Sequence, residues 1–544
     1  MSDIAASSSV EAIVARIERL PTSWWQIKAR IIVGIATFFD AFDALAIASV
    51  LPVIAPLWKL APTQIGWLIS AGFVGQLVGA LVFGWIAEQY GRMTAMVWSI
   101  ALFSVMSLVC ALAWDYSSFL VFRTIQGIGL GGEVPVAAVF ISELAKAQGR
   151  GRFVLLYELV FPIGLVAASL VGLWVVPHLG WQYMFVIGAL PGFLALALRR
   201  LLPESPRWLA VRGRFAEAEA AMALIETETQ RASGNSLPAP KLITFTLSAA
   251  DYDFSLPRLP YLLYLLWSLS PLVFFVVVSL AVGAPEAAAR DVANAFILAF
   301  AVVAFVLAIG RFHDVGRSGW WSLLLSVPIV GFVVWLYLFF APSAKTRATS
   351  PYLRRTLVVW VIWFSAYFVN YGLSIWLPTV YRIVFKLPLE QSLRYGLITQ
   401  AVGLVGTLIC ALAIDHVGRR PWFALAFVGA AASLAVLASY STPSAEQVLL
   451  WMTIAYFFVS SINIGVYLYT PELYPTRMRA LGVGTATAWL RLASIIGPAV
   501  VGMTIASGLQ AVFVTFAAVA CYAAIITGLS AVETKGRVLE EASP

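Results

Sequence analysis

The stretches Glu88-Gln89-Tyr90-Gly91-Arg92 (EQYGR) and Asp415-His416-Val417-Gly418-Arg419 (DHVGR) decide how this chain is built. Each opens on an acid, turns at a glycine, ends on an arginine and follows a long apolar run, and the second lies 327 residues after the first. Two further pairs repeat at nearly the same offset. Glu143 and Arg150 return as Glu472 and Arg479, and Glu204 of Pro-Glu-Ser-Pro-Arg returns as Glu533 of Val-Glu-Thr-Lys-Gly, 329 residues on in each case. Three acid and base motifs at one spacing mark an internal duplication. Each follows an even-numbered apolar segment, so both copies face the same compartment.

Outward from these motifs the chain is a membrane protein. Of its 544 residues 61% are hydrophobic and 11% charged, less than half the charge of an ordinary soluble domain, and the mean hydropathy is +0.89. Apolar segments long enough to span a bilayer of about 30 Å fall near 30–54, 66–88, 94–113, 117–142, 153–176 and 181–200, and again near 355–378, 393–413, 421–439, 447–470, 480–506 and 509–530. The fold class expected is therefore an all-α polytopic membrane protein of two six-helix bundles. No cleavable leader is expected, because residues 1–29 are polar with one short amphipathic stretch, Val10 to Leu20. The divisions are a cytoplasmic segment 1–29, a first bundle 30–200, a cytoplasmic linker 201–241, an inserted membrane segment 242–345, a second bundle 346–530 and a cytoplasmic tail 531–544.

The insert holds three apolar runs, near 259–281, 291–310 and 319–341, yet two copies facing one side require an even number of crossings. With an even insert about 28 Lys and Arg fall on the inner side against about 5 outside; with three crossings the contrast drops to about 21 against 12. One run is therefore expected to be re-entrant or interfacial. The best candidate is 319–341, which Pro328 and Gly331 divide; 259–281, with Pro271 midway, is the rival. On this count both termini are cytoplasmic and the protein sits in the cytoplasmic membrane. The excess of 35 Lys and Arg over 27 Asp and Glu is positive-inside charge, so nucleic acid is not an expected partner. Cys110, Cys410 and Cys521 lie in apolar runs and His178, His313 and His416 are scattered, so no metal site is expected.

Five motifs in order resemble the major facilitator superfamily, and within it the sugar-porter and metabolite (aromatic acid):proton symporter families. They are GWIAEQYGRM at 84–93, RTIQGIGLGGE at 123–133, PESPRWL at 203–209, PELYPTRMRALG at 471–482 and VETKG at 532–536. Glu88 stands where that family has Asp, and Val532 where it has Pro. DAFD at Asp40–Asp43 resembles the D-x-x-D signature of the metabolite symporters. The resemblance covers all of the chain except 242–345. That insert resembles a bacterial membrane family of unknown function through Arg311–Trp321, RFHDVGRSGWW. The resemblance implies two bundles rocking about a midplane site, and implies that Glu88, Arg92, Glu143, Arg150 and Glu204, with Asp415, Arg419, Glu472, Arg479 and Glu533, form a cytoplasmic gate holding the outward-open form.

Ions inside the bilayer are costly, from about 2.5 to more than 10 kcal/mol each, so the few present are candidates for function. Asp40 and Asp43 share one face of the first helix at about 15 and 20 Å depth. Such a pair suits proton coupling, with Glu133 and Arg123 as further members. Arg123 reads foremost as a partner of the first-helix acids, and Glu133, after a run of glycines, as a relay or a paired group. Arg491, at about 16 Å in the second half, reads as a substrate-carboxylate site or as a salt bridge to Glu133 or a first-helix Asp. Asn370, Tyr371, Gln400 and Asn463 are candidate substrate contacts, and Trp363, Tyr367, Trp376 and Tyr467 could supply an aromatic wall. The function expected is a monomeric secondary transporter, a proton-coupled symporter of a small organic anion, with no cofactor beyond the proton gradient. A sugar:proton symporter is the alternative, although a neutral sugar does not need Arg491. An integral-membrane enzyme or sensor is the alternative of another class; the chain carries no nucleophile constellation, metal-ligand spacing or phosphate-binding G-x-x-x-x-G-K-[ST] loop to support it.

Overall fold

A computed structural model describes residues 10–21, 24–144, 159–233, 237–240, 352–474, 476–505 and 508–535, with seven isolated positions between 308 and 338. The crossings of the 242–345 insert, including the choice between 319–341 and 259–281, lie outside the described residues, as does Arg150; Arg479 lies in a helix but its side chain is not described.

Because no water solvates backbone groups in hydrocarbon, the apolar runs close their hydrogen bonds internally as helices. An amphipathic helix α1 (Val10–Glu18) is followed by α2 (Trp24–Leu57), α3 (Pro62–Tyr90), α4 (Arg92–Ala111), α5 (Tyr116–Leu144) and α6 (Val160–His178). The sixth apolar run, expected as one helix over 181–200, is two: α7 (Gln182–Gly188) and α8 (Pro191–Leu201). Pro191 has no amide hydrogen and its ring opposes the carbonyl of the preceding turn, which ends α7. After the linker helices α9 (Pro206–Val211) and α10 (Phe215–Ser233), the second bundle contains α11 (Tyr352–Ser374), α12 (Leu377–Ile383), α13 (Leu389–Val417), α14 (Arg419–Ser439), α15 (Ala445–Glu472), α16 (Thr476–Thr504) and α17 (Leu509–Ser530). The first run of this bundle is likewise divided, into α11 and α12, just ahead of Pro378. The twelve core positions read from hydropathy are thus all occupied by helix.

Close packing inside the first bundle rests on glycine. Gly72, Gly75 and Gly79 of α3 face Gly127, Ile128 and Gly131 of α5, and a Cβ built on Gly75 would lie 2.0 Å from the Thr124 carbonyl oxygen. The two bundles meet along α3 and α16, α6 and α13, and α2 and α12. Gly66 lies against Pro498 and Ala499, Gly502 against Pro62, and the Ser70 hydroxyl donates to the Ile495 carbonyl at 2.6 Å. These contacts belong to the end of the bundles away from the repeated motifs. Toward the motif end a Cβ on either Gly84 or Gly484 would meet no described residue within 4 Å. Trp24, Trp67, Trp85, Trp98, Trp114 and Trp174 stay exposed on the surface, as a lipid-facing belt requires.

Helix α1 packs on the linker. Ile13, Ile17 and Leu20 join Trp208, Met222 and Ile225 in one apolar cluster. Around it Arg16 pairs with Glu219 and Glu226, Arg19 reaches Glu226 at 2.6 Å, and Arg207 reaches Glu18 at 2.9 Å. Burial pushes the Glu226 carboxyl up, but the two arginines outweigh it and hold it below its usual range. A depressed carboxylate stabilises the folded form above its unfolded pKa and stops doing so as pH falls through its folded one. Acidification below about 4.5 should therefore loosen α1 from α10, seen as amide hydrogen exchange in residues 10–18 that rises relative to the intrinsic rate at each pH. Gly75→Ala should force α3 and α5 apart at a cost of about 1–3 kcal/mol, read as a lower melting temperature of the purified protein in detergent.

Candidate functional site

Three groupings of polar side chains follow from this packing. The first is sealed inside the first bundle. Asp43 on α2 and Arg123 on α5 are brought together by the tight α3–α5 contact, with Gly72 leaving room for the guanidinium. Arg123 donates to Asp43 at 2.7 Å and to Gln126 Oε1 at 2.7 Å. Gln126 in turn donates to Asp43 at 2.8 Å and to Ser107, whose hydroxyl also reaches Asp43 at 3.4 Å. Asp43 is 0% exposed and Arg123 3%. A buried pair of this kind roughly balances desolvation against attraction, but removing one partner costs about 3–5 kcal/mol because the other charge is left behind. Glu133 lies in the same bundle, fully buried, and accepts from Thr37 at 3.1 Å. Thr37, Asp40 and Asp43 thus form one face of α2 at three-residue spacing.

The second grouping is a cavity of about 80 Å³ between the bundles, lined mostly by the second. Arg491 lines it with Asn370, Tyr371, Gln400 and Asn463, so the five candidate substrate contacts converge on one space. Arg491 donates to Gln76 Oε1 of α3, across the two bundles, and among the described residues it has no ion pair to Glu133, Asp40 or Asp43. Asp40, 2% exposed, has a carboxylate oxygen without a hydrogen-bond partner, and with Tyr371 shares the electrostatic field of Arg491. Among the described residues the buried amide oxygens of Asn370 and Asn463 also lack partners, whereas Gln400 accepts from Tyr456 at 2.7 Å. Of the four aromatics expected as a wall, Tyr367 and Tyr467 line the cavity. Trp363 stacks behind Tyr367 at 5.7 Å and donates to Thr470. Trp376 does not belong to the wall, since its indole donates to the Pro498 carbonyl and fixes α16 against the end of α11. Tyr456, Ser460, Gln76 and Gln126 join these sites from outside the set that the sequence singles out. Gln126 was signalled by its place one turn after Arg123, and Gln76 by the stripe Gly66, Ser70, Phe73, Gln76 along one face of α3.

The third grouping is the repeated motif itself, which forms two copies of one network. Arg92 pairs with Glu88 and Glu143, each at 3.0 Å; Arg419 pairs with Asp415 at 2.7 Å and Glu472 at 2.9 Å. Glu204 accepts from the Arg92 and Met93 amides, and Glu533 from the Arg419 and Arg420 amides, so each carboxylate caps the first turn of α4 or α14 where the helix dipole favours negative charge. Gly91 and Gly418, at φ +110° and +103°, make the turn, and a Cβ at either would strike the capping carboxylate. Burial pushes Glu204 above the usual range against the pull of its amide donors and Arg92. Both networks lie within their own bundle, and both are complete while the far end of the interface is packed. Glu204→Ala and Glu533→Ala should each cost about 1 kcal/mol and add within about 0.5 kcal/mol in the double variant, because they share no partner; melting curves of the three proteins check this.

Comparison with known proteins agrees with this geometry. The niacin transporter NiaP of Acinetobacter baylyi is 29% identical over 542 residues, 97% of this chain and 99% of that protein. The putative niacin/nicotinamide transporter NiaP of Bacillus subtilis is 26% identical over 475 residues, 87% of this chain and 86% of its own length. Among solved structures, the xylose transporter XylE of E. coli in a partially occluded inward-open conformation superposes with a TM-score of 0.62 at 17% identity, covering 95% of this chain and all of that one. Residues 251–352 match DUF805, a family of unknown function, in agreement with the insert recognised from Arg311–Trp321. Residues 23–236 and 339–544 match the sugar (and other) transporter family on either side of it, and the chain belongs to that family: a multi-pass membrane transporter of small metabolites with the major facilitator fold, and not an enzyme.

Proposed function

We propose that the protein is a proton-coupled symporter of a small organic anion, with an aromatic monocarboxylate of the nicotinate kind as its first candidate substrate. The observation that carries this is Arg491, a permanent cation on the cavity wall whose described partner is a neutral amide. A guanidinium so placed, with no carboxylate among the described residues in ion-pair contact, has its N–H donors available for an incoming carboxylate and can take it through two parallel hydrogen bonds. Tyr367, Tyr371 and Tyr467 offer ring faces beside it, and the amide oxygens of Asn370 and Asn463, without partners among the described residues, offer hydrogen bonds to donors on the rest of the ligand. The names of the relatives above support niacin or nicotinamide as the compounds to try first. A sugar would use the amides and leave the charge of Arg491 unanswered.

Proton coupling falls to Asp43 with Arg123, to Asp40 one turn before it on α2, and to Glu133 of α5, which meets α2 a further turn back at Thr37. Neutralising Asp43 by protonation would free Arg123 to reorganise the sealed cluster, and only a group that is sealed in one state and reachable in another can carry a proton through. The gradient is then the sole energy source, without a cofactor, and the working unit is a monomer. The motif end of the bundles is the cytoplasmic one, as positive-inside charge requires, which puts both termini in the cytoplasm and the chain in the cytoplasmic membrane. The networks around Arg92 and Arg419, each closed within its own bundle, would hold the helix ends on that side rigid while the halves move against each other.

In proteoliposomes, an inward proton gradient should drive accumulation of nicotinate. Asp43→Asn should abolish accumulation while retaining gradient-free exchange, and Arg491→Gln should raise the KM at least ~10-fold, the loss of one charge-assisted pair. Accumulation that survives a protonophore would sink the symport reading, and an unchanged KM in Arg491→Gln would sink the carboxylate reading.

A further inference from the structure

We propose that Gln76 is a positioning residue for carboxylate recognition: from the first bundle it holds the Arg491 guanidinium of the second bundle in the cavity without cancelling its charge. This rests on the carboxylate reading above and adds a residue from the opposite half of the molecule. Gln76 is 3% exposed on α3, and its backbone is pinned, because Gly131 of α5 approaches it so closely that a Cβ there would lie 2.0 Å from the Gln76 carbonyl oxygen. Its side chain accepts from Arg491 Nη1. It ends the stripe of α3 that meets the second bundle, after Gly66 against Pro498, Ser70 against Ile495, and Phe73 with its ring 5.0 Å from that of Tyr371.

The chemistry of the acceptor decides its role. An arginine side chain is long and loses much rotamer freedom when fixed, so an anchor that fixes it before the ligand arrives improves binding. A carboxylate at position 76 would fix Arg491 equally well but would close an ion pair and leave the ligand nothing to neutralise. An apolar residue would leave the charge intact and the side chain loose. A neutral amide does one without the other: it occupies one of five N–H donors and leaves four. Because donor and acceptor belong to different bundles, the anchor exists only while the bundles are apposed along α3 and α16, which ties the strength of the anion site to the conformational state.

The test uses the full chain purified in detergent, titrated by calorimetry with nicotinate and with its neutral analogue nicotinamide. Gln76→Leu should weaken nicotinate by about 5-fold or more, and Gln76→Glu, which keeps size and hydrogen bond but neutralises Arg491, by at least ~10-fold, while nicotinamide moves less than about twofold in either. A merely structural residue would shift both ligands together. If Gln76→Leu does not fold, Gln76→Glu alone decides through the same ratio. Nicotinate affinity unchanged in both variants, or equal losses for the two ligands, overturns the inference. Arg491→Gln separates the two levels: if it binds nicotinate as the parent does, the carboxylate reading falls and this inference with it, whereas if it loses nicotinate and both Gln76 variants keep it, only this inference falls.

Discussion

A guanidinium cannot discharge itself by losing a proton, so every arginine carried into the bilayer must be met by a partner or by function. Among the described residues of the two bundles this constraint is met in two opposite ways. Arg123 is enclosed by Asp43 and Gln126, under a Phe185 ring 5.7 Å away, in a cluster sealed from the cavity. Arg491 is left on the wall of the cavity and held by a neutral amide. One half of the molecule stores its charges and the other exposes one, although the two halves descend from one repeat. The symmetry that survives is at the motif end, where Arg92 and Arg419 make corresponding pairs and Glu204 and Glu533 cap corresponding helices.

The parts of this arrangement that were legible in the sequence are those fixed by short-range chemistry. Twelve apolar runs follow from the absence of water, and the motif pairs follow from the constant offset between Glu88 and Asp415 and between Glu204 and Glu533. The divided sixth and seventh runs carried a signal in Pro191 and Pro378 that average hydropathy passes over. Side-chain partners across the bundles were not legible, because they depend on which faces meet. Asp40 and Asp43 look alike in sequence, one turn apart on one helix. In the structure Asp43 is enclosed by three polar partners, while Asp40 keeps a buried oxygen without one. The same limit applies to Trp376, which reads as a cavity aromatic and is spent instead on the Pro498 carbonyl.

The placement of strong and weak contacts bears on how such a fold can move. Among the described residues every ion pair joins groups of one half, from Arg92 and Glu143 to Arg419 and Glu472. The described contacts between halves are of another kind: glycine faces at Gly66 and Gly502, the Phe73 ring on that of Tyr371, a hydroxyl on a carbonyl and an amide on a guanidinium. Breaking the sealed Asp43–Arg123 pair would cost several kcal/mol, whereas a net neutral hydrogen bond is worth about 0.5–1.5 kcal/mol. Each bundle is therefore stiff against the forces that open the interface. The seam between them can part and reseal at low cost, and the group that senses the ligand, Arg491, is placed on that seam. A site assembled from both halves is complete only when they are apposed, so closing the seam and completing the site become one event.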